Sequence, residues 1–519
     1  MATAPAQSPI APELAGFDEF VHASLDQWGV PGVAVAVIID GKVVHAQGYG
    51  LRDVGDQLPV TADTLFAIGS CTKAFTTMLL GTLADEGKLD WDAPVRSYLP
   101  TFTLQDPIAT ALMTPRDLVT HRSGLPRHDL AWFQSPCSRT ELYDRLRYLP
   151  PNKTFRQITQ YQNLMYMTAG YLGGVVAGME WEDLVRGRIL NPLGMNRTAV
   201  SSLEAEKDAD CARPYEEILG RVTAVPHYNL TALGPAGSLY SSVNEMCRWL
   251  LLHLNRGTHE GTRLISEGQL AEMHAPQVVM PERGTRPEMP YACYGLGWAI
   301  QPYRNQTTVW HTGGIDGFLS RVTLLPDRKA ACVVLTNKGE GSLMNVLSFH
   351  LLDRLLGLDH LPWNERLWQE QEEAKATQEK ANQEIAAARV PDTSPSHPLE
   401  AYAGEFTHPG YGSLTISYRE GRLAAGFHQL PYALTHHHYD TFLAVNPDHP
   451  EIHYLAAFAT NAQGEIESVA IPFEPTAAAI VFQREPDTRK ENETARVSSL
   501  QGEDLDLDRG DDLAREVTL

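Results

Sequence analysis

"FAIGSCTKAFTTMLL", Phe66 to Leu80, places a serine and a lysine three residues apart, Ser70 and Lys73, directly after Gly69. Phe75, Met78, Leu79 and Leu83 follow at helical spacing and predict a helix over 71–86. If Ser70 opens that helix, Lys73 lies one turn on and on the same face. A neutral lysine there could accept the serine proton, and the helix N-terminus would favour negative charge developing beside it. Two backbone N–H groups could stabilise an oxyanion. This is a layout for an acyl-enzyme mechanism. The spacing alone also fits a capping serine and a solvated lysine. Phe66, Ala67 and Ile68 on one side and the apolar residues on the other bury this helix start, however, and a buried lysine wants a reason.

Two further stretches supply what Ser70 would need. "YQNLMYMTAGYLGG" brings Tyr161, Gln162 and Asn163 together. A tyrosine beside a cationic lysine has its pKa lowered and can shuttle protons. An asparagine two residues on offers a donor and an acceptor to a substrate amide. A core tyrosine with an asparagine helix cap is the plainer alternative. "VWHTGGIDGF" ends a strand in His311, Thr312, Gly313 and Gly314. A backbone edge bare of side chains can approach a substrate closely, and the Gly314 N–H could be the second oxyanion donor; a simple strand-end turn is the other reading.

The order and spacing of these three stretches resemble the active-site motifs of the penicillin-recognising serine hydrolases, for one branch of which S-x-x-K, S-D-N and K-T-G are characteristic. Tyr-Gln-Asn and His-Thr-Gly depart from that set and resemble the variants of the class C β-lactamase, D-aminopeptidase and esterase branch, the peptidase S12 type. "MTPRDLVTHRSGLPRHD" (113–129), "ILNPLGMNRT" (189–198), "GPAGSLYSSVNEMCRWL" (234–250), "YGLGW" (294–298) and "VVLTN" (333–337) fit that branch too, so the resemblance covers about 14–360. It implies an α/β (α+β) fold of the β-lactamase/transpeptidase type, an antiparallel sheet flanked by helices with an inserted helical lobe. It implies Ser70 as nucleophile, Lys73 as its activating partner and Tyr161 as general base and then general acid. Asn163 would bind the substrate amide, and His311 would tune Tyr161 or touch the substrate. Thr312, Gly313 and Gly314 would line the substrate edge, with the Ser70 and Gly314 N–H groups as oxyanion hole. Which of Lys73 and Tyr161 takes the first proton stays open.

The pass along the chain is consistent with that fold. A helix is expected from Glu13 to Trp28, stopped by Gly29 and Pro31. "GVAVAVIIDGKVVHAQGYG" reads as two strands joined at Asp40-Gly41. Several helices follow over 115–260. Strands return at 294–300, 307–311, 318–326 and 330–337, the last, "AACVVLTN", suited to a central position. Residues 361–392 read as a polar helical linker. Residues 393–484 are short strands with turn signals, and "YAGEF" and "LTHHHYDTF" resemble a lipocalin-like domain; in similar proteins such domains pack beside the catalytic cleft, so this one is expected to restrict access. Residues 1–13, Ala/Pro-rich, and 485–519, polar and acidic, are expected to be disordered.

The formal net charge of −22 speaks against nucleic acid and anionic membranes as partners. No run of about 18 apolar residues occurs, and the N-terminus lacks a basic and apolar leader, so a cytoplasmic location is expected. Cys71, Cys137, Cys211, Cys247, Cys293 and Cys332 have no paired spacing, which favours free thiols over metal or disulfides. Cys71 reads as core packing, His121 and Ser123 as a structural loop, and His436, His437 and His438 as structural or surface residues rather than metal ligands. No GxSxG, HExxH, Walker loop or GxGxxG occurs, and no cofactor is expected. The leading expectation is a serine hydrolase forming acyl-Ser70 from peptides or amides, some with D-residues, or small esters. Acyl transfer or peptide cyclisation from the same intermediate is the second reading, and a non-catalytic scaffold the third. A homo-oligomer is compatible with the resemblance, since relatives assemble into filaments or oligomers.

Overall fold

The continuous apolar run Gly32–Ile39 is a strand buried on both faces, and it organises the sheet-and-helix part of the chain. The computed structural model describes residues 11–281 and 286–486. Val33, Val35 and Val37 face the helices Phe17–Trp28 and Leu343–Leu355, whereas Ala34, Ala36 and Ile38 face the helical lobe. Alternation along one strand thus serves two cores. Asp40 and Gly41 both take positive φ (50° and 70°), as a tight turn between twisted strands requires. The run Ala330–Thr336, wholly buried, pairs antiparallel with Gly32–Ile39, which pairs in turn with Lys42–Asp53.

The strands Val278–Val279, Cys293–Tyr294, Ala299–Tyr303, Gln306–Ile315 and Phe318–Leu325 complete a nine-stranded antiparallel sheet, edged on the far side by Leu58–Pro59. Both ends of the catalytic region meet in this sheet. The helical lobe is the excursion between them, with Thr72–Asp85, Asn163–Ala177 and Val243–Leu254 as its longer helices.

Residues 11–13, within the segment expected to be disordered, are ordered. Pro12–Leu14 forms a 3₁₀ turn because Leu14 is buried and Arg354 Nη1 donates to the carbonyls of Glu13 and Ala15. Residues 1–10 and 487–519 of the two expected disordered ends lie outside the described residues. Trp363–Ala387 is a single helix whose first turns bury Trp363 and Leu367 under the sheet, while the rest is solvated.

Beyond it, eight strands from Gly404–His408 to Ile480–Arg484 close into a lipocalin-like barrel, first strand on last (Phe406 opposite Arg484). Strand Arg422–Phe427 alternates exposed and buried strictly. The interior is filled by side chains: the void among Leu414, Tyr432, Leu434 and Phe473 is about 10 Å³, room for no more than a water. A bulge between His436 and His438 breaks the alternation that would set those two on one face. His437 is buried instead and its Nε2 donates to the Ile385 carbonyl, tying the long helix to the barrel. Cys71, Cys137, Cys247 and Cys332 are buried free thiols.

Candidate active site

A 3₁₀ turn, Gly69–Cys71, leads into the helix Thr72–Asp85, and every residue from Thr72 to Leu83 is buried. Such a helix has no solvated face to offer a lysine. Lys73 is 0% exposed, with its Nζ 2.9 Å from Ser70 Oγ, 2.8 Å from Asn163 Oδ1 and 2.8 Å from the Ala236 carbonyl. Burial drives its pKa well below the usual lysine value, Arg127 adds to the fall, and Asp129 opposes it. A neutral amine has two N–H groups and one lone pair. The Ala236 carbonyl can only accept. So can Asn163 Oδ1, because the other end of that amide, Nδ2, donates to Asp129 Oδ1 at 3.3 Å. The lone pair is therefore left for the Ser70 hydroxyl.

Tyr161, Gln162 and Asn163 arrive by way of a loop stitched to the 121–127 segment. Gln162, not Asn163, caps the helix Asn163–Ala177: its Oε1 accepts from Leu164 N at 2.8 Å while its Nε2 donates to the Pro126 carbonyl at 2.7 Å. The Gln162 N–H donates to His121 Nδ1 at 3.0 Å, and the His121 ring lies among those of Tyr161, Tyr166 and Tyr294. His121, read as a loop residue, is thus a buried support for the Tyr161 segment. Tyr161 lines the larger cavity together with Ser70, and Lys73 Nζ stands 4.8 Å from its ring centre. The expectation that the lysine lowers the tyrosine fails. Burial dominates and raises Tyr161 above the usual 10.0, against the lowering effects of Ser70 and Arg127.

The third wall is the strand Gln306–Ile315. A Cβ on Gly313 would stand 1.9 Å from the Ile68 carbonyl, and one on Gly69, which has φ +47°, 2.8 Å from Gly314 N. Only glycines let this strand edge pack onto the backbone that carries Ser70. Ser320 Oγ donates to the Ile68 carbonyl at 2.8 Å and fixes the approach. His311 Nδ1 donates to the Thr312 carbonyl, so in the neutral ring Nε2 accepts from Tyr294 OH at 3.0 Å. Cys71 is buried, 3.3 Å from Ser320 Oγ, with its thiol pushed up to about 12 by burial.

Ser70 sits where two cavities meet. One of about 510 Å³ is lined by Arg127, Thr159, Tyr161, His311, Thr312 and Gly314. The other, about 230 Å³, is walled by Asn163, Trp132, Phe133, Tyr228, Leu230 and Asp129. All eight residues expected at the site are therefore gathered around one point, except that Gly313 serves from behind the strand edge. Arg127, Asp129, Ala236 and Tyr294 were missed. They lie in stretches that resemble the family, "LPRHD", "GPAG" and "YGLGW", but no spacing singles them out.

A cavity-lining serine faced by a buried lysine fits a serine hydrolase on a β-lactamase fold, and the Beta-lactamase family model matches residues 17–353. The chain belongs to that family and is a serine hydrolase of this superfamily. A second model, a domain of unknown function (DUF3471), matches residues 388–484. The chain is 32% identical over 427 residues to the unguisins hydrolase ungD' of Aspergillus campestris, covering 78% of each chain. It is 29% identical over 506 residues to ungD, the unguisins hydrolase of Aspergillus violaceofuscus, covering 88% of each. Penicillin-binding protein 4 of Amycolatopsis lactamdurans is 28% identical over 343 residues, 63% of this chain and 87% of that one. Among solved structures, the octameric penicillin-binding protein homologue from Pyrococcus abyssi superposes with a TM-score of 0.59 at 23% identity, over 91% of this chain and all of that one. Among the described residues no helix is long and apolar enough to cross a membrane.

Proposed function

We propose that the protein cleaves peptide or amide bonds through an acyl-Ser70 intermediate, with Lys73 as the first base. The 2.9 Å approach of a fully buried Lys73 Nζ to Ser70 Oγ carries this reading. Ser70 Oγ attacks the substrate carbonyl carbon and its proton passes to Lys73. The Ser70 and Gly314 N–H groups hold the oxyanion. Collapse breaks the C–N bond as Tyr161, kept a phenol by burial, gives its proton to the leaving nitrogen, and Lys73 then restores the proton to Tyr161. Water attacks the ester, releasing the acid and regenerating Ser70. Asn163 orients the substrate amide, while His311 and Thr312 meet the leaving group in the larger cavity.

An amide fits better than an ester because a poor amine leaving group needs the proton donor that Tyr161 provides. A cavity on each side of Ser70 leaves room for a residue on each side of the scissile bond. The unguisins hydrolase relatives, by name, point to the same class of hydrolytic reaction. The test is intact-mass detection of one adduct from a fluorophosphonate or β-lactam probe, followed by turnover of D- and L-aminoacyl amides. Ser70→Ala should take no adduct; labelling of that variant at the wild-type rate would sink the reading.

A further inference from the structure

The barrel meets the segment between the two cavities at His128. His128 is 0% exposed, has φ +49°, and lies between Arg127 and Asp129, which face the two cavities. Its N–H donates to Glu474 Oε2 at 2.9 Å. Its Nε2 lies 2.9 Å from the Pro150 carbonyl, which can only accept, so Nε2 carries the proton and Nδ1 accepts from Tyr411 OH at 2.7 Å. Tyr411 and Glu474 both belong to the barrel and are both buried. Glu474 is held from behind: Thr476 Oγ1 donates to its Oε1 at 2.7 Å.

On the other side of His128, Arg127 Nε donates to Asp129 Oδ2 at 2.6 Å, and its guanidinium lies 5.2 Å from the Tyr161 ring centre. Asp129 Oδ1 accepts from Trp132 Nε1 at 3.1 Å and from Asn163 Nδ2, and Asn163 in turn holds Lys73. A continuous path therefore runs from the barrel to the two proton-handling groups beside Ser70. We propose that His128 is a positioning residue, and that Tyr411 and Glu474 fix Arg127 and Asp129 through it, making the barrel an integral part of the acylation site. Arg127 and Asp129 act on Lys73 with opposite sign, so their placement sets the base as well as its geometry.

This inference rests on the Ser70 reading above, and the experiment separates the two. Acylation by a fluorophosphonate is followed by intact mass in the full chain across a pH series. Tyr411→Phe, which removes one hydroxyl, and Glu474→Ala should each slow the limiting acylation rate about ten- to a hundredfold. They should also move the midpoint of its acid limb while leaving the half-saturating probe concentration near wild type. Glu474→Gln keeps an acceptor oxygen for the His128 N–H and should retain the wild-type rate. His449→Gln, at a separate seam contact with Glu216, should also leave the rate unchanged. Wild-type rate and pH midpoint in both Tyr411→Phe and Glu474→Ala would overturn the proposal, as would equal slowing in His449→Gln. If Glu474→Ala fails to fold, Tyr411→Phe against Glu474→Gln gives the same decision. If wild type takes no adduct, the Ser70 reading fails alone. The tether is then read from the alkaline absorbance titration of Tyr161, by difference against Tyr161→Phe, which Tyr411→Phe must shift relative to the matched double variant Tyr411→Phe/Tyr161→Phe.

Discussion

A lysine ε-amine with no exposure, facing two oxygens that can only accept and one hydroxyl, is poised to take a proton from that hydroxyl. With Lys73 as the base, kcat/KM should rise through a midpoint well below the ordinary lysine value. It should stay flat toward pH 10, because Tyr161 is raised above 10.0. A pH–rate profile checks this; activity that grows only as a tyrosine ionises would return the first proton to Tyr161. Stability carries the same signature. Between the depressed folded value and the unfolded value of about 10.4, the unfolded chain binds a proton the native state does not, so stability rises with pH across that window. Lys73→Met should lose this slope, read as urea midpoints from pH 7 to pH 10. At this scale the sequence was readable for Ser70, Lys73, Tyr161 and Asn163, because each carries reactive chemistry inside a short motif. Arg127 and Asp129 carry equally ordinary side chains in a loop, and only their approach to Tyr161 and Asn163 gives them meaning.

Among elements, the close packing of the strand Gln306–Ile315 on the turn Gly69–Cys71 brings Gly314 beside Ser70, where the oxyanion edge is proposed. Gly313→Ala forces a methyl against the Ile68 carbonyl and should destabilise by about 1–3 kcal/mol. Gly314→Ala, which meets only Leu319 Cδ2 at 3.3 Å, should unfold within about 0.5 kcal/mol of wild type, checked by urea titration. The helix Pro115–Val119 carries a second such dependence. Its Asp117, 0% exposed, closes a capping box with Thr114 and pairs with Arg122 and Arg156, joining the 121–127 loop to the Tyr161 loop. Asp117→Ala should cost about 3 kcal/mol in the same assay, since it strands two arginines against a buried site. Strand and helix positions were legible from period and turn residues. The Gly313–Ile68 approach was foreseen only as a bare edge, because the partner backbone is more than 200 residues distant in sequence.

For the whole molecule, the seam between the sheet domain and the barrel leaves a cleft of about 1460 Å³ that shares Phe133 and Tyr228 with the smaller cavity at Ser70. Gln429 and Tyr432 of the barrel line its far wall. We propose that the helix Trp363–Ala387 connects the two domains and that the barrel restricts which substrates reach Ser70. Gln429→Trp, at an exposed position in that wall, should raise KM severalfold for extended peptides and leave a small ester unaffected, a comparison made by steady-state kinetics.

The sequence by itself determined the β-lactamase fold, the barrel and the residues around Ser70. Strand and helix positions rest on local signals, apolar period and turn dipeptides; the β-lactamase fold, the barrel and the roles expected around Ser70 rest on the family that the short motifs resemble. Only the tertiary structure decided which protonation state burial imposes on Lys73 and Tyr161, and that His128 faces the barrel while its neighbours face the site. Desolvation and hydrogen-bond partnership depend on what surrounds a group in space, and residues as far apart as His128 and Glu474 have no common pattern along the chain.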